Sequence, residues 1–165
     1  MPIAAAKSTP DTVAIDVVVE SALGSAHPGA EDAVHRAIKA ASAFQSKAGE
    51  VAVLLTDDAT IRAMNAQWRR IDKPTNVLSF PAAASTDCAQ LGDIAIACET
   101  VAREAVAENK AFFDHLAHLS IHGYLHLIGF DHETDREAER MEHLETLILA
   151  SLGIADPYAD RPGLD

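Results

Sequence analysis

Apolar and polar positions repeat with two different periods along this chain, and the changes of period mark its elements. Val13, Ile15, Val17 and Val19 alternate with Ala14, Asp16, Val18 and Glu20, as in a strand with one well-buried face. From Pro28 the period lengthens. Glu31 and Asp32 fall in a first helical turn, Val34, Ile38, Ala41 and Phe44 follow at helical spacing, and Gly49 is a natural stop. The run VAVLL at 51–55 is short, β-branched and apolar, so it reads as a central strand. Thr56, Asp57 and Asp58 supply capping oxygens for a second helix, in which Ile61, Met64 and Trp68 recur at intervals of three and four. Pro74 disfavours helical geometry in the residue before it, which ends that helix near Arg69 to Lys73.

NVLSF at 76–80 and LGDIAIA at 91–97 read as two further strands, separated by the small, aperiodic loop PAAASTDCAQ. Glu99 to about Glu108 reads as helix, with a joint at Asn109 and Lys110 before a histidine-rich helix. Thr134 and Glu137 form a capping box ahead of a last helix, whose Ala138, Met141, Leu144, Ile148 and Leu152 make one apolar stripe ended by Gly153. Strands alternating with helices, then a helical run, imply an α+β or α/β layer; we carry forward α+β with a mixed sheet of about four strands. The expected organisation is a flexible tail at 1–11, one domain at 12–153 and a C-terminal tail at 154–165.

Composition narrows the setting. With 165 residues and 48% hydrophobic content the chain is long enough for one substantial core. No apolar run approaches the ~20 residues that cross a bilayer, and MPIAAAKSTP lacks the apolar core of a secretion signal, so a cytoplasmic protein with no membrane partner is expected. Cys88 and Cys98 do not match the short C-x-x-C spacing of metal or redox sites, and no disulfide is expected. A net charge of −12 argues against broad, non-specific adhesion to nucleic acid or anionic membrane. The charge is uneven: Asp131 to the end holds ten acidic and three basic residues. Arg62, Arg69, Arg70 and Lys73 are opposed only by Asp72, so a phosphate would bind there, with Arg70 and Lys73 among its partners.

The chemistry concentrates in HLAHLSIHGYLHLIGFDH, residues 115–132, where His122, His126 and His132 follow the spacing H-x3-H-x5-H. The first two lie one helical turn apart on the same face, roughly 6 Å along the axis. Gly129 tolerates positive φ, so the chain can turn and bring His132 to the same point. Three neutral nitrogen ligands on a tetrahedral ion leave one position for water, the arrangement of a catalytic zinc, and one Zn2+ is the expected cofactor. Apolar neighbours such as Ile121, Leu125 and Leu127 would bury these imidazoles, which then need partners or a metal. His118, one turn earlier, is expected near the site without being a ligand; Asp131 either orients a histidine or caps the turn. His35 and His143 read as ordinary core or surface residues. In H-E-x-x-H enzymes the second position carries the general base; here it is Gly123, which counts against peptide hydrolysis.

Three blocks, WRRIDKPTNVLSFP at 68–81, LGDIAIA at 91–97 and HLSIHGYLHLIGFDH at 118–132, resemble the YbeY endoribonucleases of bacterial ribosome maturation. With similar element order the likeness covers about residues 13–152. It implies a metal-dependent endoribonuclease, specific for single strands, acting in 3′-end maturation of small-subunit (16S) ribosomal RNA and in ribosome quality control. The implied zinc ligands are His122, His126 and His132, and the functional arginine falls on Arg69. Trp68 stands where tyrosine is common, and Arg70 and Ile71 replace small or polar residues. The implied partners are single-stranded ribosomal RNA, the small ribosomal subunit, a small-subunit ribosomal protein and a ribosome-assembly GTPase. Two rivals remain from the residues themselves: a zinc peptidase or amidase, and a non-enzymatic assembly factor whose metal only stabilises the fold.

Overall fold

The computed structural model describes residues 13–83 and 90–159, so the expected tail at 1–11, Cys88 and the chain beyond Ala159 lie outside the described residues. The elements run β1 (Val13–Val19), α1 (Ala22–Ser25), α2 (Ala30–Gln45), β2 (Gly49–Thr56), α3 (Asp58–Arg69), β3 (Val77–Pro81), β4 (Gln90–Ala97), α4 (Cys98–Ala107), α5 (Phe112–Leu127) and α6 (Asp135–Ser151). The four strands form one mixed sheet in the order β1-β2-β4-β3, parallel except for the antiparallel edge pair β3–β4. This is the α+β architecture expected from the alternation of periods.

One face of the sheet makes the main core. Val51, Val53 and Leu55 of β2 and Ile94 and Ile96 of β4 pack with Val34 and Ile38 of α2 and Leu116, Ile121 and Leu125 of α5. The other face carries a smaller cluster, Ile61 of α3 on Leu78, Ala95 and Ala97. Helix α5 meets α2, β3, β4, α4 and α6, and most of its residues are buried. A helix enclosed in this way shows no single apolar stripe, which is why its sequence is apolar between the histidines.

Local signals act where the sequence places them, with two exceptions. Asp57 caps α3 by accepting the Thr60 N–H at 2.8 Å. Both bonds of the Thr134–Glu137 capping box form, and Asn109 takes a positive φ of 57° at the joint between α4 and α5. Helix α2, however, stops at Gln45 with Ser46 in the left-handed region, and Gly49 begins β2 instead of ending the helix. The one-turn helix α1, capped by the Ser21 hydroxyl, has no apolar period to announce it. No helix among the described residues is long and apolar enough to cross a membrane.

Candidate metal centre

The site is built on close contact between α5 and the sheet. A Cβ at Gly123 would lie 3.0 Å from Ile94 Cγ2, 3.2 Å from Val77 Cγ2 and 3.3 Å from Ser79 Oγ. Glycine therefore lets the helix settle against β3 and β4, and the Ser79 hydroxyl donates to the Gly123 carbonyl at 2.9 Å. The position that carries the base in H-E-x-x-H enzymes is here a packing contact. At the other end of α5, Gly129 takes φ +105°; its N–H donates to the His126 carbonyl and that of Phe130 to Leu125. These are the two bonds of a Schellman turn, which satisfies the last carbonyls and redirects the chain toward His132.

His122, His126 and His132 converge as the spacing requires: one ring nitrogen from each lies within 4.8 Å of the other two. His122 Nδ1 is 2.8 Å from Glu145 Oε2; a carboxylate only accepts, so Nδ1 carries a proton, and in the neutral ring it is Nε2 that presents a lone pair. That Nε2 stands 3.2 Å from His126 Nε2. Two ligands bound ~2.0–2.1 Å from a tetrahedral zinc stand about 3.3 Å apart, so the pair has the separation such an ion needs. A shared proton can bridge two nitrogens but not three, whereas a cation can accept all of them. Burial lowers the pKa of His126, and the neighbouring His122 and His132 push it the same way against weaker opposition from Asp131 and the Phe130 backbone. These effects favour the neutral form of His126, the form in which an imidazole binds a metal.

Glu145 is the residue that sequence reading missed. It belongs to α6 and is fully buried, yet its carboxylate is completely served. His122 donates to Oε2, while His118 Nε2 at 2.6 Å and the Tyr158 hydroxyl both reach Oε1. Burial would raise this carboxyl, but the hydrogen bonds and charges of His118 and His122 outweigh it and hold Glu145 down to about 2. A signal existed: Glu145 sits on the apolar stripe itself, four residues after Met141 and three before Ile148. His118 lies beside the site and bonds to Glu145. Tyr158 belongs to the stretch expected as a tail, and it reaches back onto α6 and α5. His115 has another function in the fold: with Asn76 it serves Glu104, tying α5 to α4 and the start of β3. These two acids and His115 also lie close together once Glu108 is counted, but Asn76, Lys110 and the imidazole already serve the carboxylates.

Asp131 accepts the backbone N–H of His132 at 2.8 Å, so it caps the turn. Arg69 is exposed in the last turn of α3, and Arg70 follows at φ 59°. Asp72 pairs with Arg62 through two bonds of 2.8 and 3.2 Å, and the Asn65 amide holds the Lys73 carbonyl. Among the described residues Arg69, Arg70 and Lys73 make no ion pair. A pocket of about 240 Å³ opens beside His118 and His122, and these three cations are not in its lining. Trp68 instead faces a groove of about 790 Å³ on the other side of the sheet, with Met64, Phe80, Glu20 and Asp93. The two carboxylates make that groove unsuited to phosphate.

The fold and the site together define an α+β domain with an open three-histidine centre suited to a metal ion. Comparison with known proteins narrows the class. The family model described as "Endoribonuclease YbeY" matches residues 22–153. A Bradyrhizobium sp. protein of that name is 57% identical over 160 residues, covering 91% of this chain and 95% of its own. One from Nitrobacter hamburgensis is 56% identical over 162 residues, covering 92% and 85%. A Thermotoga maritima protein of known solution structure matches 92% of this chain and 99% of its own, with 26% identity and a TM-score of 0.49. The chain belongs to the YbeY endoribonuclease family.

Proposed function

We propose that this protein is a zinc-dependent, single-strand-specific endoribonuclease that matures the 3′ end of small-subunit ribosomal RNA and serves ribosome quality control. The observation that carries the reading is the convergence of His122, His126 and His132 within 4.8 Å in a chain whose relatives are named endoribonucleases. In this reading the three imidazoles hold one zinc ion. Zinc supplies Lewis acidity and a nucleophile-generating site at neutral pH.

The chain's own residues do the rest. Glu145 keeps the proton of His122 on Nδ1, away from the cation. Arg69 is the catalytic arginine: its guanidinium matches a phosphate in two-point fashion and offsets the charge that builds on the non-bridging oxygens. Arg70 and Lys73 bind neighbouring phosphates, because Arg62 already occupies Asp72. His122 and His126 are only partly exposed, so a strand that can bend a phosphate inward is favoured over a duplex. The net charge of −12 makes binding to RNA local to this cluster, with docking on the small ribosomal subunit, through a ribosomal protein and an assembly GTPase, setting specificity in the cytoplasm.

Protein loaded with one equivalent of zinc is expected to cut single-stranded RNA, to spare duplex RNA and peptides, and to lose cleavage in His126→Ala. Loaded protein that leaves single-stranded RNA intact, alone and with ribosomes, would sink the catalytic reading. Peptide hydrolysis would favour a peptidase, against which the packing of Gly123 counts.

A further inference from the structure

We infer that Glu145 is a positioning residue for the three-histidine centre: it locks His122 in the tautomer whose Nε2 faces the cation, while His118 and Tyr158 immobilise its other oxygen. The inference rests on the metal-site reading above.

Glu145 is not itself a ligand. Its Oε2 lies 2.8 Å from Nδ1, on the side of the His122 ring remote from the nitrogen that faces His126. It does not belong to the group of donors that converge. A carboxylate behind a ligand imidazole sets the proton on the far nitrogen and raises the basicity of the near one. Such a carboxylate could swing or rotate if only one oxygen were held. Here Oε1 is held by His118 from α5 and by Tyr158 from the stretch after α6. The side chain is 1% exposed, so both oxygens are shielded from bulk solvent. His118 is thereby assigned an indirect part in the site, and Tyr158 ties the C-terminal stretch to it.

Both imidazoles donate to Glu145, so the carboxylate must accept at both oxygens. Glutamine cannot do this: it offers one accepting oxygen and an NH2 that only donates. In Glu145→Gln, either His118 or His122 must therefore turn an unprotonated nitrogen toward the amide. For His122 that moves its proton to Nε2, where the metal would bind.

The test has three arms on the full chain. Long-range 1H–15N spectra of the metal-free protein read the His122 tautomer directly, with Nδ1–H expected in the wild type. Zinc affinity, from chelator competition, is expected to fall about 10–100-fold in Glu145→Gln. Glu139→Gln removes the same charge from an exposed position of α6 and is expected to leave affinity within about twofold. The Co2+-substituted variant is expected to show an altered visible spectrum, which a merely structural role would not produce. Wild-type protein with His122 protonated at Nε2, or a folded Glu145→Gln with wild-type affinity and spectrum, would overturn the inference. If Glu145→Gln does not fold, the wild-type tautomer decides alone. Wild-type protein that binds no zinc would instead overturn the metal-site reading, so the two failures are distinguishable.

Discussion

Replacing Gly123 by alanine adds one methyl group at a tight contact between α5 and the sheet. Three atoms on two strands, Ile94 Cγ2, Val77 Cγ2 and Ser79 Oγ, would lie 3.0, 3.2 and 3.3 Å from it. Two effects oppose each other. Alanine favours the helix over glycine by about 1 kcal/mol. Overpacking a filled core costs about 1–3 kcal/mol, and lifting α5 weakens the Ser79 bond to the Gly123 carbonyl, worth about 1 kcal/mol. Ile94 is buried and fixed within the sheet, so relief must come from outward movement of the helix. The net effect is a loss of about 1–3 kcal/mol, or roughly 3–9 °C in Tm for a domain of this size. The same movement shifts His122 and His126, which ride on α5, relative to His132 in the segment beyond the Gly129 turn, so zinc affinity is expected to fall as well. Thermal unfolding of the metal-free protein and chelator competition measure the two effects. An alanine variant as stable as wild type with unchanged zinc affinity would refute the view that glycine is there for closeness. Gly123→Glu, which completes the protease-like pattern, is expected to misfold and not to gain peptidase activity.

Arg69→Ala is expected to fold and bind zinc normally while RNA cleavage falls at least about 100-fold; Arg62→Ala, which breaks only the exposed pair with Asp72, is expected to retain most activity, and steady-state cleavage of an RNA oligomer separates them. Acid should destabilise the metal-free protein in two stages. Both His126 and Glu145 have folded-state pKa values below their ordinary ones, so the unfolded chain binds more protons and stability falls with falling pH. The His126 contribution is complete above about 6.5 and fades below it, and that of Glu145, on the order of 3 kcal/mol, fades between about 4.5 and about 2. Denaturant melts across that range check the order, and a stability that rises on acidification from pH 7 would contradict it. Thr134→Ala, which opens the capping box of α6, is expected to cost about 1 kcal/mol in a urea melt.

Much of the site is local and therefore legible. The pair His122 and His126 follows from one turn of helix, the return of His132 from a glycine that takes positive φ, and the start of α6 from a capping box four residues long. The joint at Asn109 and the caps of α3 and α6 are of the same kind. The end of α2 does not follow from Gly49, because a helix can also stop on a non-glycine residue in the left-handed region, as Ser46 does. The pairing of Asp72 was also beyond reach, since Arg69 lies three residues from it along the chain and Arg62 ten, and only the fold of the turn selects the more distant Arg62.

The sequence by itself determined which residues could bind a metal and in what local order they stand, because helical spacing, glycine geometry and capping chemistry act within a turn or two of chain. Tertiary structure decided what surrounds them. Gly123 read as a missing catalytic base until the sheet showed it to be a point of close approach. Glu145 read as one more acid in the acidic stretch from Asp131 to the end until α6, packed on α5, set its carboxylate between His118 and His122. Those partners lie 27 and 23 residues away in the chain. No periodicity registers a contact of that span, because it depends on how two helices are placed against each other and against the sheet.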